Sequence, residues 1–140
     1  MPGSSEQTAE EIRAHGLRAT APRVAIYRAV AEIGGHPEVQ QVADRVRHQT
    51  GSVSTQAVYD GLQALASAGM LRRIQTGGSP ARFETRVGDN HHHLICRSCG
   101  ATEDVDCAVA EAPCLEPDLP AGFSVDEAEI TFWGLCPACN

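Results

Sequence analysis

Two Cys-x-x-Cys pairs constrain this 140-residue chain more than any other feature. Two residues separate the first pair, Cys96 and Cys99, from three consecutive histidines, and the second pair is Cys136 and Cys139. A two-residue gap lets one tight turn direct both sulfur atoms at one ion, and four thiolates complete the tetrahedron that zinc prefers. Four thiolates leave no position for water, so we predict a structural zinc. The alternatives are four unrelated thiols or a redox-active pair.

Composition and cysteine usage point to a small globular protein in a reducing compartment. Apolar residues make up 42% of the chain but aromatic residues only 4%, so a small core gains from a stabilising metal. The sequence has no run of about 18 apolar residues that would span a membrane, and its polar N-terminus lacks the apolar segment of a secretory signal. We therefore expect a cytoplasmic protein without a membrane partner, whose paired cysteines bind metal.

Charge is distributed unevenly along the chain. Residues 1–90 contain 10 Arg and 9 acidic residues, a net of +1, whereas residues 91–140 contain 1 Arg and 9 acidic residues, a net of −8. Together these give the total of −7. Bulk charge therefore does not support nucleic-acid binding, but the asymmetry suggests two halves with different partners.

Helical periodicity and capping residues predict a mainly helical first half. The predicted elements are a weak helix over 6–15, helices from Ala21 to Ile33, from Glu38 to Gln49 and from Ser54 onward, and strands over 70–75 and 81–85. Ser54 is a good N-cap, and a Gly/Pro turn joins the two strands. Helices followed by a two-stranded hairpin are typical of a winged helix-turn-helix.

The second half reads as a small α/β unit. Its predicted elements are strands over His92–Cys96, Ala101–Val105 and Phe123–Leu135, and a short helix over 107–118. A polar segment with a glycine precedes them and is typical of a linker. We therefore predict an α+β fold with a winged helix-turn-helix over residues 1–85, a linker over 86–91 and an α/β domain over 92–140.

The three histidines suggest a second metal site. On a strand, His91 and His93 face one side and His92 the other. Two imidazoles at that spacing, with carboxylates, suit Fe(II), Mn(II), Zn(II) or Ni(II). The sequence offers Glu84, Asp89 and Asp104 as carboxylates and His36 as a further imidazole. The alternative for any single histidine is a solvated or hydrogen-bonded side chain.

Two further cysteines, Cys107 and Cys114, fall outside the pairs. We expect both to be small buried apolar side chains. The alternative is a thiol switch. The chain would then be a thiol-redox protein, or a small metalloenzyme if it used an open metal position. No nucleophile–base arrangement indicates catalysis, so we do not expect an enzyme.

Several segments resemble the ferric uptake regulator (Fur) family, in the family's order. They are Gly16–Arg23, Ser54–Tyr59, Arg82–Glu84 and the block from Arg86 to Gly100. The resemblance covers nearly the whole chain and is closest to the peroxide-sensing branch, especially to repressors encoded beside catalase or catalase-peroxidase genes. Such proteins are homodimeric repressors that bind DNA when metallated. The resemblance thus implies a DNA-binding domain over 1–85 and a dimerisation domain over 92–140.

The resemblance also assigns metal ligands by motif position. It implies structural Zn(2+) at Cys96, Cys99, Cys136 and Cys139. It implies a regulatory metal, Fe(2+) or Mn(2+), at His36, Glu84, His91, His93 and Asp104. Because these regulatory ligands come from both halves of the chain, the metal would act as an effector that locks the DNA-competent dimer.

The peroxide-sensing branch adds an oxidation step. Fe(II) held by histidines and carboxylates reduces peroxide, and the oxidant formed attacks a ligand, with His36 and His91 as the expected targets. The oxidised imidazole is a worse ligand, so metal and DNA are released. In the family, Asp at the position of Asp104 accompanies peroxide sensing and Glu accompanies plain iron sensing, although Glu103 stands beside it here. The alternative is an iron, zinc or nickel homeostasis repressor of the same family.

DNA contacts follow from the winged-helix pattern, which predicts that residues 54–66 enter the major groove. Tyr59 can contact a thymine methyl and a phosphate, and Gln56 can read adenine. The other predicted contacts are Arg18, Arg23, Ser54, Thr55, Arg72 and Arg73. For each arginine the alternative is a solvated surface charge. Asp60 departs from the family, which often has Arg at this position. A dimer requires a pseudo-palindromic double-stranded operator.

Overall fold

A computed structural model describes residues 3–75, 80–107, 114–115 and 117–140. The chain divides after Val87 into two compact units. This division lies inside the segment that the sequence predicts as a linker. Among the residues described, no helix is both long enough and apolar enough to cross a bilayer.

Four helices form the body of the first unit. They are α1 (Ser5–Ala14), α2 (Ala21–Ile33), α3 (Val39–Thr50) and α4 (Thr55–Ser67). The side chain of Ser54 accepts a hydrogen bond from the Ala57 N–H at 3.0 Å, so the predicted N-cap of α4 is confirmed. Thr20 caps α2 in the same way. The helices that periodicity and caps predict are therefore present, with boundaries that differ by at most one residue.

The core of this unit takes side chains from every helix and from the hairpin that follows. Ile12, Ile26, Val42, Leu62 and Phe83 are each at most 1% exposed. Burying one large apolar side chain of this kind contributes about 1.5–3 kcal/mol. Because Phe83 belongs to the hairpin, its burial fixes the hairpin to the helical body.

The hairpin consists of β1 (Arg72–Ile74) and β2 (Arg82–Glu84), paired antiparallel. The predicted turn at 76–79 lies outside the described residues. The free edge of β2 pairs with the connection between α2 and α3: Glu38 and Arg82 form an antiparallel bridge. The Phe83 N–H also donates to the Pro37 carbonyl at 3.0 Å. This register brings position 36 opposite position 84.

The second unit contains a three-stranded sheet of β3 (His91–Cys96), β4 (Thr102–Asp106) and β5 (Thr131–Gly134), in the order β4-β3-β5. Strand β3 pairs antiparallel with β4 and parallel with β5. Strand β3 begins at His91, the last residue of the segment predicted as a linker. The α+β class is confirmed by the four helices and the two small sheets.

Two predicted elements of this unit differ from the structure. The strand predicted over Phe123–Leu135 is wrong in its first part, because only Thr131–Gly134 is a strand. The acidic residues at 126, 127 and 129 lie in an exposed stretch, where carboxylates remain hydrated instead of entering a sheet. The helix predicted over 107–118 falls largely on residues 108–113 and 116, outside the described residues, and the described residues of that stretch are not helical.

Candidate metal centres and DNA-binding surface

The four paired cysteines come together in the second unit. The sulfur atoms of Cys96, Cys99, Cys136 and Cys139 all lie within 4.8 Å of one another. The Cys99 and Cys136 sulfur atoms are 3.7 Å apart. A tetrahedron with Zn–S bonds of about 2.3 Å has sulfur–sulfur edges of about 3.8 Å. The spacing of these thiols therefore fits a four-thiolate zinc site.

Backbone hydrogen bonds build the two cysteine turns and join them to the sheet. The Gly100 N–H donates to the Cys96 carbonyl at 2.9 Å, and Gly100 has a φ of 77° that favours glycine. The Arg97 N–H donates to the Gly134 carbonyl at 2.8 Å, which joins the first turn to the end of β5. The Arg97 guanidinium also lies 5.2 Å from the centroid of the Trp133 ring. The first and last strands are thus tied beside the thiol cluster.

The thiols of this cluster do not ionise equally without a cation. Backbone hydrogen bonds from Cys99 and Cys136 lower the pKa of the Cys96 thiol to about 6. A hydrogen bond with Ser98 lowers the pKa of Cys139, but the neighbouring cysteines of the cluster outweigh it and raise that pKa to about 12. One thiolate is therefore stabilised at neutral pH, whereas four together require a divalent cation.

In the first unit, the register of β2 brings two predicted ligands together. The His36 Nε2 atom lies 2.9 Å from the Glu84 Oε2 atom, and the two side chains are 5% and 2% exposed. The Arg82 guanidinium donates to the His36 carbonyl at 3.1 Å and pairs with the Glu38 carboxylate at 2.9 Å. These contacts fix the backbone that carries His36. The unit thus holds one imidazole and one carboxylate as a preformed pair.

In the second unit, the other three predicted ligands lie close together. The Nε2 atoms of His91 and His93 each lie 3.4 Å from the Asp104 Oδ1 atom. The two imidazole rings are 4.9 Å apart between centroids, and both side chains are fully buried. Alternation along β3 puts the two rings on one face, and the β3–β4 register pairs His93 with Asp104.

Asp89 has a role that the sequence leaves open. Its Oδ1 atom lies 2.6 Å from the Nδ1 atom of His91. Because a carboxylate oxygen accepts, Nδ1 donates its proton to Asp89, and Nε2 is the ring nitrogen that faces Asp104. Metal-binding histidines usually have such an outer carboxylate, which fixes the tautomer and raises ligand basicity. Asp89 is placed to orient His91.

A third cluster was not predicted from the sequence. The His92 imidazole and the Cys107 and Cys114 sulfur atoms all lie within 4.8 Å of one another. Both cysteines are only partly buried, so the expectation that they are buried apolar side chains is wrong. Only the alternation of β3, which turns His92 away from His91, hinted at a separate environment.

The predicted recognition helix α4 presents several of the predicted DNA contacts on its exposed start. Ser54, Thr55 and Gln56 are exposed, and Tyr59 is half-buried. The Gln56 side-chain amide donates to the Asp60 carboxylate at 2.9 Å. The Arg47 guanidinium donates to the Thr55 hydroxyl at 2.9 Å and thereby holds the turn between α3 and α4. Asp60 is thus a partner of Gln56 on the helix surface.

The predicted arginine contacts all lie in the first unit. Arg18 and Arg73 are exposed, whereas Arg23 and Arg72 are half-buried. The Arg23 guanidinium donates to the Arg18 carbonyl at 3.1 Å. Arg72 stands opposite Glu84 in the β1–β2 register.

Comparison with known proteins identifies the family to which the chain belongs. The model of the Ferric uptake regulator family matches residues 14–132 of the chain. The chain belongs to this family. The transcriptional regulator FurA of Mycobacterium tuberculosis is 54% identical over 132 residues, which cover 94% of this chain and 89% of FurA. The chain is accordingly a transcriptional regulator of the ferric uptake regulator family.

Two further matches within this family are more distant. The peroxide-responsive repressor PerR of Staphylococcus epidermidis is 24% identical over 135 residues, which cover 96% of this chain and 89% of PerR. The Helicobacter pylori ferric uptake regulator Fur, whose structure reveals three functional metal binding sites, has a TM-score of 0.72. Its sequence identity is 18%, with 98% of this chain and 94% of that chain covered, so this match supports the fold alone.

Proposed function

We propose that this regulator is a peroxide-responsive repressor whose DNA binding depends on Fe(II) or Mn(II). The observation that carries the proposal is the pair of preformed donor sets, His36 with Glu84 in the first unit and His91, His93 and Asp104 in the second. Each set alone is incomplete for a divalent cation that takes five or six ligands. We infer that one metal binds both sets and so restrains the orientation of the DNA-binding unit.

The chemistry of the donors supports a division between two metals. Imidazoles and carboxylates suit Fe(II) and Mn(II), whereas four thiolates suit Zn(II). We assign the structural zinc to the four paired cysteines, where it stabilises the second unit. We therefore expect the second unit to remain folded when the regulatory metal is removed.

The peroxide response is inferred from Asp104 and the histidines beside it. Fe(II) held by these residues would supply the electrons that reduce hydrogen peroxide, next to imidazole side chains that can be oxidised. We propose His36 or His91, one imidazole from each donor set, as the side chain oxidised, as the family resemblance implies. An oxidised ring would bind metal less well. The two units would then lose the metal that both bind, and DNA binding would be lost.

DNA recognition is assigned to the first unit. The exposed start of α4 carries Gln56 and the half-buried Tyr59, and the exposed arginines Arg18 and Arg73 are available for phosphate. We propose that α4 enters the major groove of a double-stranded, pseudo-palindromic operator. Cysteines that are placed to bind metal, together with a DNA partner, favour a cytoplasmic location.

A homodimer follows from the second unit's exposed apolar surface. Phe132 and Trp133 on β5, and Leu135 after it, are 47%, 40% and 54% exposed. Strand β5 is also an edge of the sheet, and exposed apolar side chains at a sheet edge are typical of a protein interface. We propose that a second copy of the chain covers this surface. The resulting dimer presents two recognition helices to the two halves of an operator.

The decisive experiment compares the iron and manganese forms on DNA. The chain is loaded with zinc and then with Fe(II) or Mn(II), and binding is measured to a duplex selected from a random library by the Mn(II) form. Hydrogen peroxide is expected to release the Fe(II) form and to add one oxygen mass to a peptide with His36 or His91. The Mn(II) form is expected to remain bound.

Two substitutions sharpen this test. Asp104→Glu is expected to keep metal-dependent DNA binding while lowering peroxide sensitivity. The neighbouring exposed carboxylate provides the matched control, since Glu103→Gln is expected to change neither property. If the Fe(II) form stays on DNA after peroxide as long as the Mn(II) form does, the protein is a metal-homeostasis repressor and the peroxide proposal is wrong.

A further inference from the structure

The third cluster lies on the face of β3 opposite the predicted regulatory ligands. The His92 Nε2 atom lies 3.4 Å from the Cys114 sulfur, and the Cys107 sulfur is within 4.8 Å of both. Cys107 directly follows β4, the strand that carries Asp104. The cluster therefore adjoins both strands that hold the second unit's metal ligands without sharing a ligand with them.

A hydrogen bond to the other ring nitrogen decides which chemistry fits this cluster. The Ile130 N–H donates to the His92 Nδ1 atom at 3.2 Å, so the lone pair of the neutral ring is on Nδ1. The ring proton is then on Nε2 and is donated to the Cys114 sulfur. A metal bound at Nε2 would move the proton to Nδ1, where it would meet the Ile130 N–H and leave that amide without its acceptor. The arrangement favours a hydrogen-bonded dithiol over a metal site.

We propose that Cys107 and Cys114 form an oxidisable dithiol that hydrogen peroxide converts into a disulfide, with His92 as the positioning residue. This goes beyond the proposed function, because the reaction requires no bound iron. It also differs in mechanism, since the products are a sulfur–sulfur bond and water instead of an oxidised imidazole.

The reaction balances with one peroxide for each dithiol. A Cys107 thiolate attacks one peroxide oxygen, the O–O bond breaks, and the released hydroxide takes a proton to become water. The Cys114 sulfur then attacks the resulting sulfenic acid, the S–O bond breaks and a second water leaves. The two sulfur atoms lose two electrons, which reduce one peroxide to two waters.

The order of attack follows from the environment of the two thiols. Burial raises the pKa of Cys114, and the hydrogen bond with Cys107 and the charge of that neighbour raise it further. Because the pKa of Cys114 is raised, we assign the attack on peroxide to Cys107 and the second step to Cys114. The hydrogen bond from His92 holds the Cys114 sulfur within reach of Cys107.

The test uses the full chain loaded with zinc and Mn(II), so that iron chemistry is absent. After hydrogen peroxide treatment, free thiols are alkylated and the intact mass is measured, together with peptides cleaved at the glutamate between the two cysteines. We expect a loss of two hydrogen masses, a disulfide between Cys107 and Cys114, reversal by dithiothreitol, and no release of zinc. In Cys114→Ser the sulfenic acid is expected at Cys107, where dimedone traps it.

Variants of His92 separate positioning from a general structural role. His92→Gln keeps a side-chain N–H for the Cys114 sulfur and is expected to oxidise at the wild-type rate. His92→Leu loses this donor and is expected to oxidise roughly two- to tenfold more slowly. Equal rates in the two variants would remove His92 from the proposal.

Three results would overturn the dithiol itself. The first is that both sulfur atoms remain open to alkylation after peroxide. The second is that the same mass loss occurs in the Cys107→Ser/Cys114→Ser double variant, where only the paired cysteines remain. The third is a second tightly bound zinc per chain that this double variant and His92→Gln both lack, which would identify a metal site. Because Mn(II) replaces Fe(II), these results do not depend on whether the regulator senses peroxide through iron.

Discussion

Replacing Asp89 tests whether it orients a metal ligand or is a ligand itself. Its carboxylate lies 2.6 Å from His91 Nδ1, on the side of the ring away from Asp104. Outer-shell partners of this kind are worth about 10- to 100-fold in metal affinity. This range corresponds to about 1.4–2.7 kcal/mol of binding free energy. We expect Asp89→Ala to weaken Mn(II) binding by that range.

The two available substitutions at this position are expected to differ. Asn keeps an oxygen that accepts the His91 Nδ1–H but lacks the negative charge, so Asp89→Asn should cost about tenfold or less, the lower end of that range. If Asp89 were itself a ligand, a neutral amide oxygen would replace it poorly and Asp89→Asn would be nearly as damaging as Asp89→Ala. The ratio between the two variants therefore reports the role of the residue.

Mn(II) affinity is measured by electron paramagnetic resonance titration of zinc-loaded protein, because free aqueous Mn(II) gives a strong signal that binding diminishes. Glu103→Gln is the control for removing an acidic side chain from the same unit and is expected to bind like the wild type. Asp104→Ala should be the more damaging variant, since it removes a direct donor. A wild-type affinity in Asp89→Ala would refute the orienting role.

Three further predictions concern the core, the zinc site and the recognition helix. Gly61→Ala places a Cβ atom in steric conflict with the Cδ1 atom of buried Ile26. The overpacking cost of about 1–3 kcal/mol should exceed the helix-propensity gain of about 1 kcal/mol. Urea unfolding should therefore show destabilisation in the wild type but not in an Ile26→Val background, which lacks that atom; equal effects would contradict the packing argument. Cys99→Ser should lose the tightly bound zinc in elemental analysis, and wild-type zinc content should fall on acidification, because protons compete with the metal for thiolates. Retention of zinc by the variant would contradict the four-thiolate assignment. Asp60→Ala removes a negative charge and the partner of Gln56, so binding to random DNA should strengthen while the preference for the selected duplex falls, as measured by titration on both duplexes.

The elements that sequence predicts well are those with a local cause. Helix α4 follows from the Ser54 cap and from apolar side chains three and four positions apart, and all of these are local signals. The strand predicted from Phe123 was too long because hydropathy alone does not report hydration of the acidic residues within it. Strand limits depend on partners, and Thr131–Gly134 is the part that pairs with β3.

The donor sets show the same limit at the level of side chains. Spacing along the chain predicts that His91 and His93 share a face, and it predicts the paired cysteines. It does not predict that Glu84 meets His36, because that contact depends on β2 pairing with the α2–α3 connection. It likewise gives no reason to join His92 with Cys114, whose contact depends on how the chain returns to the sheet.

Strand β3 separates nitrogen and oxygen donors from sulfur by its alternation. One face carries His91 and His93 beside a carboxylate, and the other carries His92 beside sulfur. At the end of the strand, Cys96 contributes to the four-thiolate cluster. A soft cation is thus attracted to sulfur at one end of the strand, while Fe(II) or Mn(II) meets only nitrogen and oxygen on one face. A shift of one residue in the β3–β4 register would place His92 opposite Asp104 and mix the two donor types. The register of this single strand pair therefore determines which donor atoms share a face of the sheet.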